Sequence, residues 1–307
     1  MEISLLNLIP ILMAASTPIL LAGLGELVAE KSGVLNLGVE GMMIIGAVCG
    51  FAVAYGTGSP TLGFIGGALG GMILALIFAV LTQLLLSNQV ATGLALTLFG
   101  LGFSALLGQG YVGLKPPSTS KLEFFGLSEL PGIGPIFFNH DPIVYLSLVM
   151  VIAVWAFLRF SRAGLILRAV GENHGAAHAL GYKVIRIRFA ALAFGGAMAG
   201  LGGAYLSLVR VPQWTDGMTA GSGWIALALV VFAAWRPWRL VVGAYLFGGI
   251  TVLQLNLQAA GLKVPVELLS MSPYLVTILV LVIMSANRRR AAAGAPAALG
   301  TVFHATR

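Results

Sequence analysis

The sequence predicts an all-α, polytopic membrane protein, and three observations carry that prediction. First, 59% of its 307 residues are hydrophobic, only 9% are charged, and the mean hydropathy is +0.99. A soluble chain carries roughly 25% charged residues and has no interior large enough to hide this much apolar surface. Second, the apolar residues come in runs of about 20, the length a helix needs to cross about 30 Å of hydrocarbon. Third, Lys and Arg are confined to short strips between those runs. Together these exclude a soluble enzyme, a secreted domain and a disordered chain. The net charge of +7 and pI of about 9.9 do not point to nucleic acid, because strips between spans are the pattern of membrane topology.

Taken in order, the candidate spans are 3–24, 34–55, 61–86, 90–110, 142–159, 189–209, 222–235, 239–258 and 266–286, nine within a range of eight to ten. The first has no basic residue ahead of it. Its Met13–Ser16 stretch resembles a cleavage site, but apolar sequence continues past it, so an uncleaved span is expected. The run 34–55 contains Asn36 and Glu40, and 222–235 is short. Either is expected to be broken or re-entrant, which is tolerated where backbone is buried in protein or lines a wet cavity. The segment 111–141 is rich in Pro and Gly and is expected to be an external loop. The membrane domain therefore covers 1–286, followed by a cytoplasmic tail, 287–307, whose Ala/Gly/Pro-rich part predicts disorder.

Basic residues set the orientation. Arg159, Arg162, Arg168, Lys183, Arg186 and Arg188 lie in 159–188, Arg236 and Arg239 bracket a turn, and Arg288, Arg289 and Arg290 follow the last span. With Lys31 and Arg307, these are 13 of the 17 basic residues, and all fall on one side, which is then cytoplasmic. The carboxy terminus faces the cytoplasm and the amino terminus the exterior.

Glycines recur within spans, and Gly67 with Gly71, or Gly196 with Gly200, share a helix face. Small residues four apart let helices approach closely, so intramolecular packing is expected of them. The segment 25–32, GELVAEKS, approaches a phosphate-binding loop, but Glu30 stands where the second glycine belongs and would oppose phosphate. No ATP binding by this chain is expected. The lone Cys49 allows no internal disulfide and is expected to be a small buried hydrophobe. There is no zinc-protease motif and no nucleophile elbow.

Polar residues at membrane depth are the candidates for a solute pathway: Asn36, Glu40, Asn88 and Gln89, with Trp224 as a ring that a solute can stack on. Asn36 and Glu40 are four apart and share a helix face. Glu40 has a second reading, in which it ties a broken helix to its neighbour. Glu26, Glu30 and Lys31 are expected to form the solvated face of a short turn. Trp155, Trp235 and Trp238 lie by the basic strips as interfacial anchors, and Trp214 shares the stacking possibility with Trp224.

The segment 159–188 is too long for a tight turn and too polar to span. Asn173 is an expected N-cap, 175–180 a short helix, and Gly181 its left-handed terminator. Such a stub is either a handle for a soluble partner or a solvated connector. His174 and His178 have metal-capable spacing, but with no third ligand they are expected to be surface residues.

Three motifs then carry a resemblance: 25–43 (GELVAEKSGVLNLGVEGMM), 88–97 (NQVATGLALT) and 168–181 (RAVGENHGAAHALG), continued at 217–226 and 273–277. They resemble the permeases of ABC importers for simple sugars and nucleosides, in the group that includes branched-chain amino acid permeases, and most of all the shorter permease of bacterial nucleoside uptake systems. The resemblance implies a type II importer fold in a bacterial plasma membrane. It implies a separate ATP-binding subunit carrying ATP and Mg, a second permease, identical or related, and an extracytoplasmic substrate-binding protein. No cofactor or metal is expected on this chain, which is not an enzyme. Glu172, Asn173, Ala176, Ala177 and Gly181 match the family's coupling helix, which docks on the ATPase. His174-Gly175 departs from the Pro common there. The implied function is alternating-access import of a nucleoside or simple sugar. The alternative is an ion-coupled secondary transporter, for which Glu40 is the one candidate ionisable site.

Overall fold

The computed structural model describes residues 5–122, 134, 138–259, 265–285 and 294–304. The expected spans are all present as helices. They are α1 (Leu5–Lys31), α2 (Val39–Thr57), α3 (Pro60–Ala79, extended by a π-helical turn to Leu84), α4 (Gln89–Gly108) and α5 (Pro142–Phe160). After the short α6 (Arg162–Glu172) and α7 (His174–Ala179) come α8 (Val184–Tyr205, extended by a π-helical turn to Arg210), α9 (Ser222–Phe232), α10 (Pro237–Ala259) and α11 (Val266–Ser285). Seven of the described helices, α1–α5, α8 and α10, are long and apolar enough to cross a membrane. The 11 residues of α9 are not: at 1.5 Å per residue they rise about 16 Å, half a bilayer core.

Local chemistry accounts for five of the helix starts. Ser59, Asn88, Asp141, Ser161 and Asn173 each accept a backbone N–H of the following turn, and Pro60 and Pro142 occupy first-turn positions where no N–H is needed. The centre of the bundle is α1, α2, α3 and α8. Glycines set its spacing. A Cβ on Gly71 would meet the backbone of Gly196 and Gly200, and one on Gly203 would meet the carbonyl of Met43. The close-packing role expected of the glycine pairs is thus met by backbone-to-backbone contact between α3 and α8.

The long α8 carries Arg186 and Arg188 in its first turns and ends at Arg210, so the two basic groups lie at opposite ends of one span. At the first end, Lys31, Arg159, Arg168, Arg236 and Arg239 surround one cleft of about 540 Å³. At the other end, Val112 pairs with Trp214, and Tyr205 donates to Asp141 at 2.7 Å. Within the expected loop 111–141, residues 123–133 and 135–137 lie outside the described residues.

Three expectations are corrected. The turn proposed around Glu26, Glu30 and Lys31 is the last part of α1, and both carboxylates are buried rather than solvated. Trp214 is 1% exposed against Gly108, so it packs the core and offers no stacking face. Residues 294–304 of the tail, expected to be disordered, lie folded on the basic end, with Ala298 and Phe303 buried. Their backbone finds partners there that sequence spacing does not reveal.

Candidate functional site

Two polar assemblies stand out from the apolar bundle. The first is built on the non-helical connector 32–38 between α1 and α2. The N–H groups of Ser32, Gly33 and Val34 close onto carbonyls of the last turn of α1, while those of Leu35, Asn36 and Gly38 are met by side chains. Glu26 Oε1 accepts from the Asn36 N–H at 3.2 Å, and Asn36 Oδ1 accepts from Gly38 N–H at 3.0 Å. Gln89 Oε1 accepts from Leu35 N–H at 2.9 Å, while Thr97 donates to the Leu37 carbonyl at 3.1 Å. Glu26 Oε2 and Gln89 Nε2 are buried with no hydrogen-bond partner.

Two residues beyond the connector, Glu40 reaches the start of α9. Its Oε1 accepts from Thr219 Oγ1 at 2.6 Å and Gly221 N–H at 2.9 Å, and its Oε2 accepts from Gly223 N–H at 2.6 Å. A carboxylate at a helix N-terminus satisfies orphan donors and opposes the positive end of the helix dipole. Glu40 therefore ties the start of α2 to the start of the short α9, which is the neighbour-tying one of its two sequence readings, without a break in α2. A Cβ on Gly223 would meet the Glu40 backbone, so this glycine is what lets α9 come so near.

Of the five pathway candidates, Asn36, Glu40 and Gln89 are buried, 1–3% exposed, and their polar atoms hold backbone. Asn88 is exposed and caps α4 through Ala91 N–H at 3.0 Å. Trp224 is 49% exposed beside Tyr274, in a cleft of about 500 Å³ that also takes in Gly221 and Ile225. Thr97 and Thr219, which complete this layer, have no sequence signal: the first is a lone threonine in an apolar run and the second one small polar residue among several in a Gly-rich turn.

The second assembly is the stub at the basic end. Asn173 Oδ1 accepts from Ala176 N–H at 2.9 Å to start α7. At its end Gly181, with φ of +88°, donates to the His178 carbonyl at 2.8 Å, and Tyr182 donates to that of Ala177 at 3.1 Å. That is a Schellman close, which needs the left-handed conformation glycine supplies. Glu172, Asn173, Ala176 and Gly181 point outward; Ala177, 3% exposed, packs inward against Val170, Val184 and Phe303. Leu180 is 77% exposed and Tyr182 38%.

The folded tail fastens this stub. Ala298 donates to the Gly171 carbonyl at 2.9 Å and Gly300 to that of Gly33 at 3.2 Å, and Lys31 Nζ donates to the Gly294 carbonyl at 2.7 Å. The Phe303 ring meets those of His174 and His178 edge-on, each at 5.3 Å. The two histidines thus grip an aromatic ring, and no group of three metal-capable side chains occurs among the described residues. Arg188, fully buried, donates to the carbonyls of Ser32 at 3.2 Å and Thr301 at 3.3 Å and to Gln83 Oε1 at 3.1 Å, with His174 Nδ1 at 3.3 Å. Burial, and then the nearby Arg188 charge, hold the His174 imidazolium form below its ordinary pKa. Nearby, Trp235 Nε1 donates to Glu30 Oε2, so this tryptophan is buried while Trp238 remains at the surface.

A family model for the permease component of branched-chain amino acid transport systems matches residues 8–285. A putative glucose ABC transporter permease of Haloferax volcanii is 45% identical, over 87% of this chain and 88% of its own. A nucleoside ABC transporter permease of Lactococcus lactis is 32% identical over 87% of this chain and 88% of its own. A guanosine ABC transporter permease of Bacillus subtilis is 30% identical over 89% and 90%. No solved structure matches the chain at a significant level.

Proposed function

Because the chain belongs to the permease family of branched-chain amino acid transport systems, as a membrane-spanning ABC transporter subunit, we propose that it imports a nucleoside or simple sugar by alternating access. It is a translocation subunit, and the family places ATP hydrolysis in a separate ATP-binding subunit, with a substrate-binding protein as a further partner. The chain itself binds no ATP, Mg or other cofactor. In the plasma membrane its basic end and carboxy terminus face the cytoplasm, and a second permease, related or identical, completes the solute path.

The observation that carries this reading is the capped stub at the basic end, which offers Glu172, Asn173, Ala176 and the 77% exposed Leu180 to a soluble partner. Leaving so large an apolar side chain out of both core and span is unfavourable by about 1.5–3 kcal/mol relative to burial, which a docked ATPase would recover. ATP-driven closure of the motor then moves 172–181, and the spans follow as rigid bodies. Asn36, Glu40 and Gln89 bound the path by holding its broken backbone, while Asn88 and the Trp224 ring are the pathway residues open to a solute. Relatives that carry glucose or nucleosides support a neutral ring-bearing substrate. The ion-coupled alternative has no support: the relatives are ABC transporter permeases, and Glu40, the carboxylate on which that alternative rested, is taken up by three hydrogen bonds.

The test is uptake and solute-stimulated ATPase activity of the assembled transporter carrying Glu172→Lys or Leu180→Asp. Both activities are expected to fall together with co-purification of the ATPase; full retention of all three refutes the docking assignment. Uptake of labelled guanosine and glucose, each chased by the other, identifies the solute class.

A further inference from the structure

The tail contacts do more than cover surface. They meet two stretches far apart in the chain: the connector at Gly33, and the run from the end of α6 into the stub, at Gly171, Glu172, His174 and His178. Arg188 joins the tail to the same two stretches, through the Thr301 carbonyl, the Ser32 carbonyl and the His174 ring. A short helix such as α7 has little rigidity of its own, because six residues lie well below the length at which a helix holds its shape in water. A partner pushing on an unbraced stub would bend it at the exposed hinge residues Asn173 and Gly181 and move nothing else.

We infer that residues 294–304, acting with Arg188, are a positioning brace that makes the coupling stub and the α1–α2 connector move as one body. The inference rests on the coupling role proposed for 172–181. The brace leaves the outward residues of the stub uncovered: Ala176 and Leu180 stay exposed with the tail in place, so an ATPase and the tail can be bound together. From Gly33 the connection continues along the connector to Asn36 and Glu40, and through Glu40 to the start of α9. A force applied at the stub therefore has a bonded route to the starts of α2 and of the short α9. The tail is a component of the transmission, and it touches the surface that receives the motor only at its edge, where Ala297 donates to Glu172 at 3.4 Å.

The experiment compares solute taken up per ATP hydrolysed in the complete transporter. The variants are the wild type, Phe303→Ala, Phe303→Tyr, and Ala298→Pro, which deletes the N–H donated to Gly171. The ATPase should still co-purify with Phe303→Ala and Ala298→Pro, while uptake per ATP falls at least about fivefold, the low end of ordinary coupling energies. Phe303→Tyr should restore it. An unchanged ratio in both damaging variants overturns the brace. Failure of the wild type to capture an ATPase overturns the underlying docking assignment instead. Should either variant be lost from the membrane, His178→Cys with Phe303→Cys in a Cys49→Ala background gives a second measurement. The unlinked pair should be weakly coupled, and a short thiol cross-linker should restore uptake per ATP. Restoration supports the brace; a further fall on cross-linking, reversed by reductant, overturns it by making the tail a latch that has to leave.

Discussion

Replacing Glu40 by glutamine keeps the shape of the side chain and changes only its charge and one acceptor. Glutamine Oε1 can still accept from Thr219 and Gly221, but its NH₂ then faces the Gly223 N–H, donor against donor. Losing a buried hydrogen bond to a charged group removes about 1.5–3 kcal/mol. The two remaining bonds lose their charge assistance, and the N-terminus of α9 loses a favourable charge of about 0.5 kcal/mol. The sum is about 3 kcal/mol for Glu40→Gln and, with all three donors orphaned, about 5 kcal/mol for Glu40→Ala. At 2–4 °C per kcal/mol for a chain of this size, Glu40→Gln should melt roughly 6–12 °C below the wild type in detergent. Uptake should fall in step with the folded fraction. A Glu40→Gln variant that melts with the wild type yet transports nothing would refute the structural role and make Glu40 a residue that acts on the solute or a coupled ion.

The bundle centre should be as sensitive. Gly71→Ala puts a methyl against the α8 backbone, within 2.7 Å of Gly200 Cα. Neither helix can yield locally, so a loss at or above the usual overpacking range of about 1–3 kcal/mol is expected, read as lower folded yield and melting temperature. The brace should also respond to acid. The groups facing His174 are Arg188 from α8 and the neutral Phe303 ring from the tail. Its pKa is depressed when the tail is docked, so the undocked state binds more protons as the pH falls. Docking is strongest above the ordinary histidine value of 6.5 and weakens below it. Hydrogen exchange at the Ala298 amide, corrected for intrinsic rate, should accelerate below that pH, and His174→Gln should abolish the acceleration.

What a single stretch of chain can encode was legible in the sequence. Runs of apolar residues dictate helices that bury their own backbone in lipid, so each expected run appears as a helix; of the two runs singled out, 222–235 gives the short α9, whereas 34–55 gives a continuous α2 long enough to cross. The stub was legible for the same reason: Asn173 and Gly181 act on backbone within a few residues of themselves, and their chemistry at those positions is local. Tertiary structure decided the fate of the charged groups. Glu40 meets Gly221 across 181 positions, Glu30 meets Trp235 across 205, and Arg188 meets Ser32 across 156. The tail has too few apolar residues to fold alone, and it orders because carbonyls left over at Gly33 and Gly171 need donors. A hydrogen-bonding debt in one segment, met by a distant one, leaves no periodicity and no spacing in the chain. Only the packed bundle brings the two together.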